Sequence, residues 1–479
     1  MASLDELTAG MPPSVPVTSE QVRLACAAAG ADEVLVVLDD DPTGTQSVAG
    51  LPVLTAWADD DFRWAFAQSA PAVYVMTNSR SLAPEAAEKV TREVLAVAVR
   101  VAAEQGLRAV LVSRSDSTLR GHFPLETSVM QDAMGGVSGV VLVPAFPEAG
   151  RITVGGVHYC RVGSDYVPVG ESEFARDATF GYHASALAEW VGEKTAGAVS
   201  PADVVWIGLE QLRTDPAGVR EAALTLGGRV LICDIVTEDD LRRLSLALIA
   251  AEAAGRRFVY RVGPPFVRAR IGQDQHPPLG PADVVEACAA SGSLRRASSA
   301  GGVVVVGSHV GVTQRQLANL KQAFPAEVVE IEIAQVVGED RNADYLPGLV
   351  ERAVDVLRSG SVIVQTSRKL VTGADAEASL ELSRAVSAAV VEVVRGIIGK
   401  TVPRFVLAKG GITSSDVAAR GLEIRHAIAA GPMLPGLVSL WVAQDGPAAG
   451  IPYVVFPGNV GDETSLTAVV ATLQEIGAS

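Results

Sequence analysis

Residues 34–48 read VLVVLDDDPTGTQSV. Five apolar residues, Val34–Leu38, run straight into three aspartates and a Pro-Thr-Gly-Thr turn. An unbroken run of this kind predicts a strand buried on both faces, as in parallel sheets covered by helices. Ligands of such sheets bind outside the carboxyl ends of the strands, so Asp39, Asp40 and Asp41 stand where chemistry is expected. Three adjacent carboxylates repel one another unless a cation, a bound hydroxyl or a helix start compensates them. They can hold Mg²⁺ or take a proton from a hydroxyl, while Thr43, Gly44 and Thr45 can open a helix whose amides face an anion. The purely structural alternative is a solvated acidic turn with Asp40 as a helix cap.

The same pattern recurs outward from this stretch. Ala72–Met76, Ala109–Val112 and Val140–Val143 are short apolar runs with turn or polar residues after them, and Pro84–Ala103 between two of them has helical spacing. This alternation is that of βαβ units. The run at 110–126, VLVSRSDSTLRGHFPLE, ends in a polar cluster. Arg114 and Arg120 are planar cations suited to a carboxylate or phosphate, Asp116 is a second candidate base or metal ligand, and Ser115, Ser117 and Thr118 can bond hydroxyls. Asp116 and Arg120 can equally be a helix-start carboxylate and its i,i+4 partner. Residues 75–82, VMTNSRSL, add Asn78, Ser79, Arg80 and Ser81 by the same logic. Glu148 and Arg151 fall on the Pro/Gly-rich stretch 143–156, read as a loop.

A second series of strands is expected at Gly302–Val306, Val328–Ile333, Ser361–Gln365, Arg404–Leu407 and Pro452–Phe456. Between the two series, 262–300 is dense in Pro, Gly and Ser and reads as a connector. The expected organisation is a mobile tail over 1–20, one domain over 21–275, a linker over 276–300 and a second domain over 301–479. The fold class is α/β, with two domains that are each a mostly parallel β-sheet flanked by helices. In the second half the strand ends are glycine-rich: VGSHVGVT at 306–313, LAKGGITSS at 407–415, GPMLPG at 431–436 and FPGNVGDET at 456–464. Strand–Gly–helix turns let backbone amides bond phosphate oxygens, so a nucleotide is the natural guest. Neither a Walker P-loop nor a dinucleotide fingerprint is present.

Composition narrows the class. The chain has 479 residues, 48% hydrophobic and 20% charged, enough to build buried cores in two or three domains. A net charge of −16 opposes nonspecific binding to nucleic acid or to an anionic membrane. Cys26, Cys160, Cys233 and Cys288 lie far apart without a C-x-x-C pair, and read as buried free thiols. The histidines are scattered; His122 and His309 lie inside candidate clusters but read first as structural. No G-x-S-x-G elbow occurs. No secretory signal or long apolar segment is apparent, so a cytoplasmic protein is expected.

Taken in order, these motifs resemble the four-carbon acid sugar kinases, which include threonate, erythronate and 2-oxo-tetronate kinases. The resemblance lies in Asp40-Asp41-Pro42-Thr43-Gly44, Asp116-Ser117-Thr118-Leu119-Arg120-Gly121, Pro144–Arg151, Gly307-Ser308 with Thr313, Gly410-Gly411-Ile412-Thr413 and Pro457–Gly461. It spans residues 34 to 465. It implies a sugar-acid-binding N-terminal domain, a nucleotide-binding C-terminal domain and an active site in the cleft between them. The implied reaction is ATP-dependent phosphorylation of a terminal hydroxyl, with Mg²⁺ and with no metal ligand assigned. The nucleotide would contact Ser308, Gly410, Gly411, Ile412, Thr413 and Gly458. Asp41, Asp116 and Asp40 are the candidate catalytic residues, and Thr43, Ser79, Arg80, Arg114, Ser117 and Arg120 the candidate substrate contacts. Two departures surround the substrate site: Arg114 stands where the family usually has Lys, and Asp39 adds a third aspartate. The implied partners are a small sugar acid and ATP, and a homodimer is compatible with this reading. Two rivals remain at this level. Asp39-Asp40-Asp41-Pro42-Thr43 also fits the nucleophile motif of haloacid-dehalogenase-like phosphatases, with Asp39 attacking phosphate and Asp41 as acid/base. A noncatalytic sugar-acid-binding protein is the other.

Overall fold

In the computed structural model the described residues are 2–476 apart from 31, 292–296, 308–310, 325, 337–342, 368–375 and 459, with the backbone alone for 376–383. The chain forms two compact units, Met1–Leu51 with Trp57–Gln275, and Pro52–Ala56 with His276–Ser479.

The first unit holds seven parallel strands among the described residues. Their order across the sheet is Ala72–Met76, Glu33–Asp39, Arg108–Arg114, Phe258–Val262, Gly139–Val143, Val230–Cys233 and Val205–Ile207. Val34–Leu38 are all buried, as a sheet covered on both faces requires. The helix Pro84–Glu104 starts with Pro at its first position and buries Ala87, Thr91, Val94, Leu95, Ala98, Val101 and Ala102. That spacing of three and four makes one apolar stripe. From Glu33–Asp39 the chain goes to Ala72–Met76 on one side, then returns to Arg108–Arg114 on the other. In open α/β sheets such a reversal is where ligands bind, here at the carboxyl ends of Glu33–Asp39 and Arg108–Arg114. Arg151 begins a separate three-stranded antiparallel sheet, Arg151–Val154, Val157–Val162 and Asp165–Pro168. The stretch read as a loop is thus a strand from Arg151 on.

In the second unit Ala326–Ile331, Ser361–Thr366, Val303–Val306, Val406–Lys409 and Pro452–Phe456 are parallel, in that order. Val438–Ala443 and His426–Leu434 continue the sheet antiparallel. Leu51–Leu54 lies next to His426–Leu434, and Thr55 donates its N–H to the Arg425 carbonyl at 3.1 Å. The core joins Val304, Val306, Ile363, Leu407, Val454 and Phe456 of the strands to Leu317 and Leu320 of the helix Gly311–Ala323 and to Leu466, Val469 and Leu473 of the helix Ser465–Gln474. Each such side chain contributes about 1.5–3 kcal/mol by burial. Within 276–300, read as a connector, Pro281–Ala290 is a helix that buries Val284 and Cys288. Within 1–20, Ser3 caps a short helix, Leu4–Leu7. Among the described residues no helix is long and apolar enough to cross a membrane.

Candidate active site

The aspartate run ends the strand Glu33–Asp39, which lies between Ala72–Met76 and Arg108–Arg114, and register decides what it meets. Asp39 pairs across the ladder with Arg114, the last residue of its neighbour strand. Both side chains are 2% exposed and form an ion pair. The same guanidinium lies 3.6 Å from Asp40 and donates to the Asp41 carbonyl. Burial pulls Arg114 down to about 9, against the fields of Asp116 and Glu126. Arg114 is therefore spent inside the protein. A substrate contact was expected of it, but its donors are buried under the acidic turn it neutralises. Asp39 is equally sealed: a phosphatase nucleophile must reach phosphorus, and this carboxylate faces a guanidinium, an arrangement that speaks against that role for Asp39.

Gly44 packs on that pair. A Cβ at this position would stand 2.1 Å from Asp39 Oδ2 and 2.3 Å from Arg114 Nε, distances no side chain tolerates. Gly44→Ala is accordingly expected to cost about 1–3 kcal/mol, the usual range for overpacking. Urea denaturation would check this, and a midpoint equal to wild type would refute the close approach.

Asp40 is 1% exposed. It accepts from Arg80 Nε at 3.1 Å and Nη2 at 2.5 Å. Burial lifts its pKa to about 7 despite this partner. Arg80 reaches it because Asn78 takes a left-handed backbone (φ 52°) that turns the chain after Ala72–Met76, and Arg80 N–H donates to the Asp40 carbonyl. Asp41 is more open, at 21% side-chain exposure. One of its oxygens accepts from Thr43 N–H at 3.0 Å and Thr43 Oγ1 at 2.5 Å, and the other lies 3.5 Å from Arg80 Nη1.

Asp116 accepts from Arg120 Nε at 2.7 Å and from Thr118 Oγ1. Burial works to raise its pKa, but Arg80 and Arg120 win and hold it well below the usual carboxylate range. Arg120 also lies 3.6 Å from Asp177 and over the Phe174 ring. The backbone of this loop is pinned from below: buried His158 meets the Ser117 carbonyl at 2.8 Å, and the Tyr182 hydroxyl donates to the Thr118 carbonyl at 2.6 Å. Burial lowers His158 to about 4, so it donates as a neutral ring.

Ser79, expected as a substrate contact, has its hydroxyl engaged inside the protein. It is fully buried and donates to Glu126 Oε1 at 2.5 Å. Glu126 also accepts from Ser113 at 3.0 Å and faces Arg261 at 3.4 Å. Ser117 is likewise buried. His122 bonds the Ser79 and Leu82 carbonyls, each at 3.1 Å, a structural role. Glu126, Arg261 and His158 were missed by sequence reading. Of these only Arg261, a charge inside the apolar run Phe258–Val262, carries a local signal. The result is a buried set, Asp39, Asp40, Arg114, Ser79, Glu126 and Arg261, beneath a partly exposed one, Asp41, Thr43, Arg80, Asp116 and Arg120. Among the described residues no group of three or more His, Cys, Asp or Glu is arranged to hold a metal ion.

In the second unit three glycine turns far apart in sequence become neighbours, because Val303–Val306, Val406–Lys409 and Pro452–Phe456 adjoin in parallel. Gly307 N–H donates to the Lys409 carbonyl at 3.2 Å and Gly410 N–H to the Phe456 carbonyl at 2.9 Å. Thr313 Oγ1 donates to the Gly458 carbonyl at 3.0 Å. Gly411, Ile412 and Thr413 open the helix Gly411–Asp416, and Ile412 is exposed. Ser308 and His309 lie outside the described residues. The fourth glycine stretch, 431–436, is elsewhere: it spans the end of the antiparallel strand His426–Leu434, so it is no strand–Gly–helix turn.

A sugar-binding N-terminal domain matches residues 35–270 and a nucleotide-binding C-terminal domain matches 303–466. D-erythronate kinase of Heliobacterium modesticaldum is 28% identical over 61% of this chain and 60% of its own length. D-threonate kinase of Cupriavidus necator is 32% identical over 30% of this chain and 32% of its own length. The chain thus spans less than two thirds of either relative. The crystal structure of a Haemophilus influenzae protein of the DUF1537 family shares the fold, with a TM-score of 0.59 at 17% identity over 91% of this chain and 100% of that one. With both domain models matched in sequence order, and with these relatives, the chain belongs to the four-carbon acid sugar kinase family.

Proposed function

We propose that this protein transfers the γ-phosphoryl group of ATP to a terminal hydroxyl of a four-carbon sugar acid such as threonate, erythronate or 2-oxo-tetronate. The observation that carries this reading is the layering of the first unit's site. Three partly exposed groups lie over a sealed layer: Arg80, paired with Asp40 and 3.5 Å from Asp41; Asp41 itself; and Arg120, paired with Asp116. Arg80 and Arg120 are suited to hold the acid's carboxylate. Asp41 receives the hydroxyl proton as that oxygen bonds to phosphorus and the bridging bond to ADP breaks. Asp116, held ionised between two arginines, orients them and the substrate hydroxyls, and Asp40 fixes Arg80. The nucleotide belongs to the turns at Gly410–Thr413 and Gly458. Mg²⁺ bound to ATP would supply charge neutralisation at the phosphates, and no residue of this chain is assigned to hold it.

The test is ADP formation on a panel of C4 sugar acids, D-erythronate and D-threonate first. Turnover of at least one acid, dependent on ATP, is expected. Phosphate release from a sugar phosphate without ATP, or binding of the acids with no ADP formed, would refute it.

A further inference from the structure

Lys409, the last residue of Val406–Lys409, has no role in the scheme above, yet its side chain is fully buried. Its ammonium donates to the Pro457 carbonyl at 3.0 Å and lies 4.1 Å from the centre of the Phe456 ring. Among the described residues no carboxylate pairs with it, and burial pulls its pKa down to about 7. A buried ammonium with one carbonyl and one ring face is poorly compensated, and a nearby anion would favour its charged form.

Its position gives it a use. The Pro457–Gly458 bond is trans, so the Pro457 carbonyl and the Gly458 N–H point in opposite directions. With the carbonyl drawn to Lys409, the N–H turns away from the buried ammonium. The next carbonyl, that of Gly458, is held by Thr313. Two successive carbonyls are thus tied down at a turn beside Gly307 and Gly410.

We propose that Lys409 is a positioning residue for the nucleotide: it holds the Pro457–Gly458 peptide so that the Gly458 N–H faces the phosphate chain, and its charge adds attraction for that chain. The inference rests on the nucleotide reading of these turns.

Calorimetry on the full chain with ADP separates the possibilities. Lys409→Met removes donor and charge, whereas Lys409→Gln keeps an N–H donor for Pro457. ADP affinity is expected to fall about 10- to 100-fold in the Met variant, the range of a lost charge-assisted bond, and less in the Gln variant. Affinity for the sugar acid should be unchanged in both. The melting temperature of the Met variant should hold or rise, since an unpaired buried charge has gone. A Met variant that binds ADP like wild type would overturn the role of Lys409 while leaving the nucleotide reading intact. Equal losses of ADP and sugar-acid binding with a lower melting temperature would overturn it in favour of a general structural role. Failure of the wild type to bind ADP would overturn both. Should the Met variant not fold, wild-type ADP affinity in Lys409→Gln together with an unchanged KM for ATP overturns the proposal, and a weakened affinity supports it.

Discussion

Asp41→Asn is expected to lower turnover by about 10²-fold or more, the usual contribution of a positioned general base. The substitution keeps shape and an oxygen for the bonds from Thr43; it removes the ability to accept a proton and the charge that faces Arg80 at 3.5 Å. Asp41 is singled out from its neighbours by access. Asp39 is sealed against Arg114, and Asp40 is sealed beneath Arg80. Asp116 is already engaged by Arg120 and Thr118, and Arg80 and Arg120 hold its pKa below the usual carboxylate range. Because the Asp41 side chain is partly solvated, stability should change by less than about 1 kcal/mol. Steady-state kinetics with the best sugar acid and a melting curve check both halves. Turnover within a few-fold of wild type, with the fold intact, would move the proton acceptor to Asp116.

Arg114→Leu should produce the largest stability loss of any single change in the site, about 3–5 kcal/mol. The guanidinium sits at 2% exposure against Asp39, near Asp40 and on the Asp41 carbonyl. Removing it leaves a buried carboxylate without a counter-ion. A second change, Asp39→Asn, should recover part of the loss, since most of the cost is the orphaned charge rather than the missing contact. Urea denaturation of the single and double variants measures this coupling. A single-variant loss below about 1 kcal/mol, or losses that simply add, would show that the pair does not hold the turn.

The strands that bear the site were legible because they are buried on both faces. Val34–Leu38, Ala72–Met76 and Pro452–Phe456 are apolar without interruption, and the structure places strands over each of them. Val205–Ile207 and the antiparallel pair His426–Leu434 and Val438–Ala443 were not legible: three residues are too few for a period, and Gly431 and Pro432 break the run at irregular register. The clusters at the strand ends were also visible, but the division of labour within them was not. Arg80 and Arg114 look alike in sequence. Only the register Asp39↔Arg114 and the left-handed turn at Asn78 decide that one is buried and the other half open. Glu126 was invisible as a site residue because its partners, Ser79, Ser113 and Arg261, come from three separate strand ends. Lys409 stood in plain sight in LAKGGITSS, yet nothing local says that its ammonium folds back onto Pro457.

The residues Pro52–Ala56 are claimed by the second unit although the chain before and after them builds the first. A cut near residue 275 therefore would not yield two self-sufficient halves. The carboxyl-terminal fragment would leave the flank of His426–Leu434 bare and prone to adhesion, whereas a chimaera meant to exchange nucleotide preference would have to transplant this five-residue ribbon along with everything after His276.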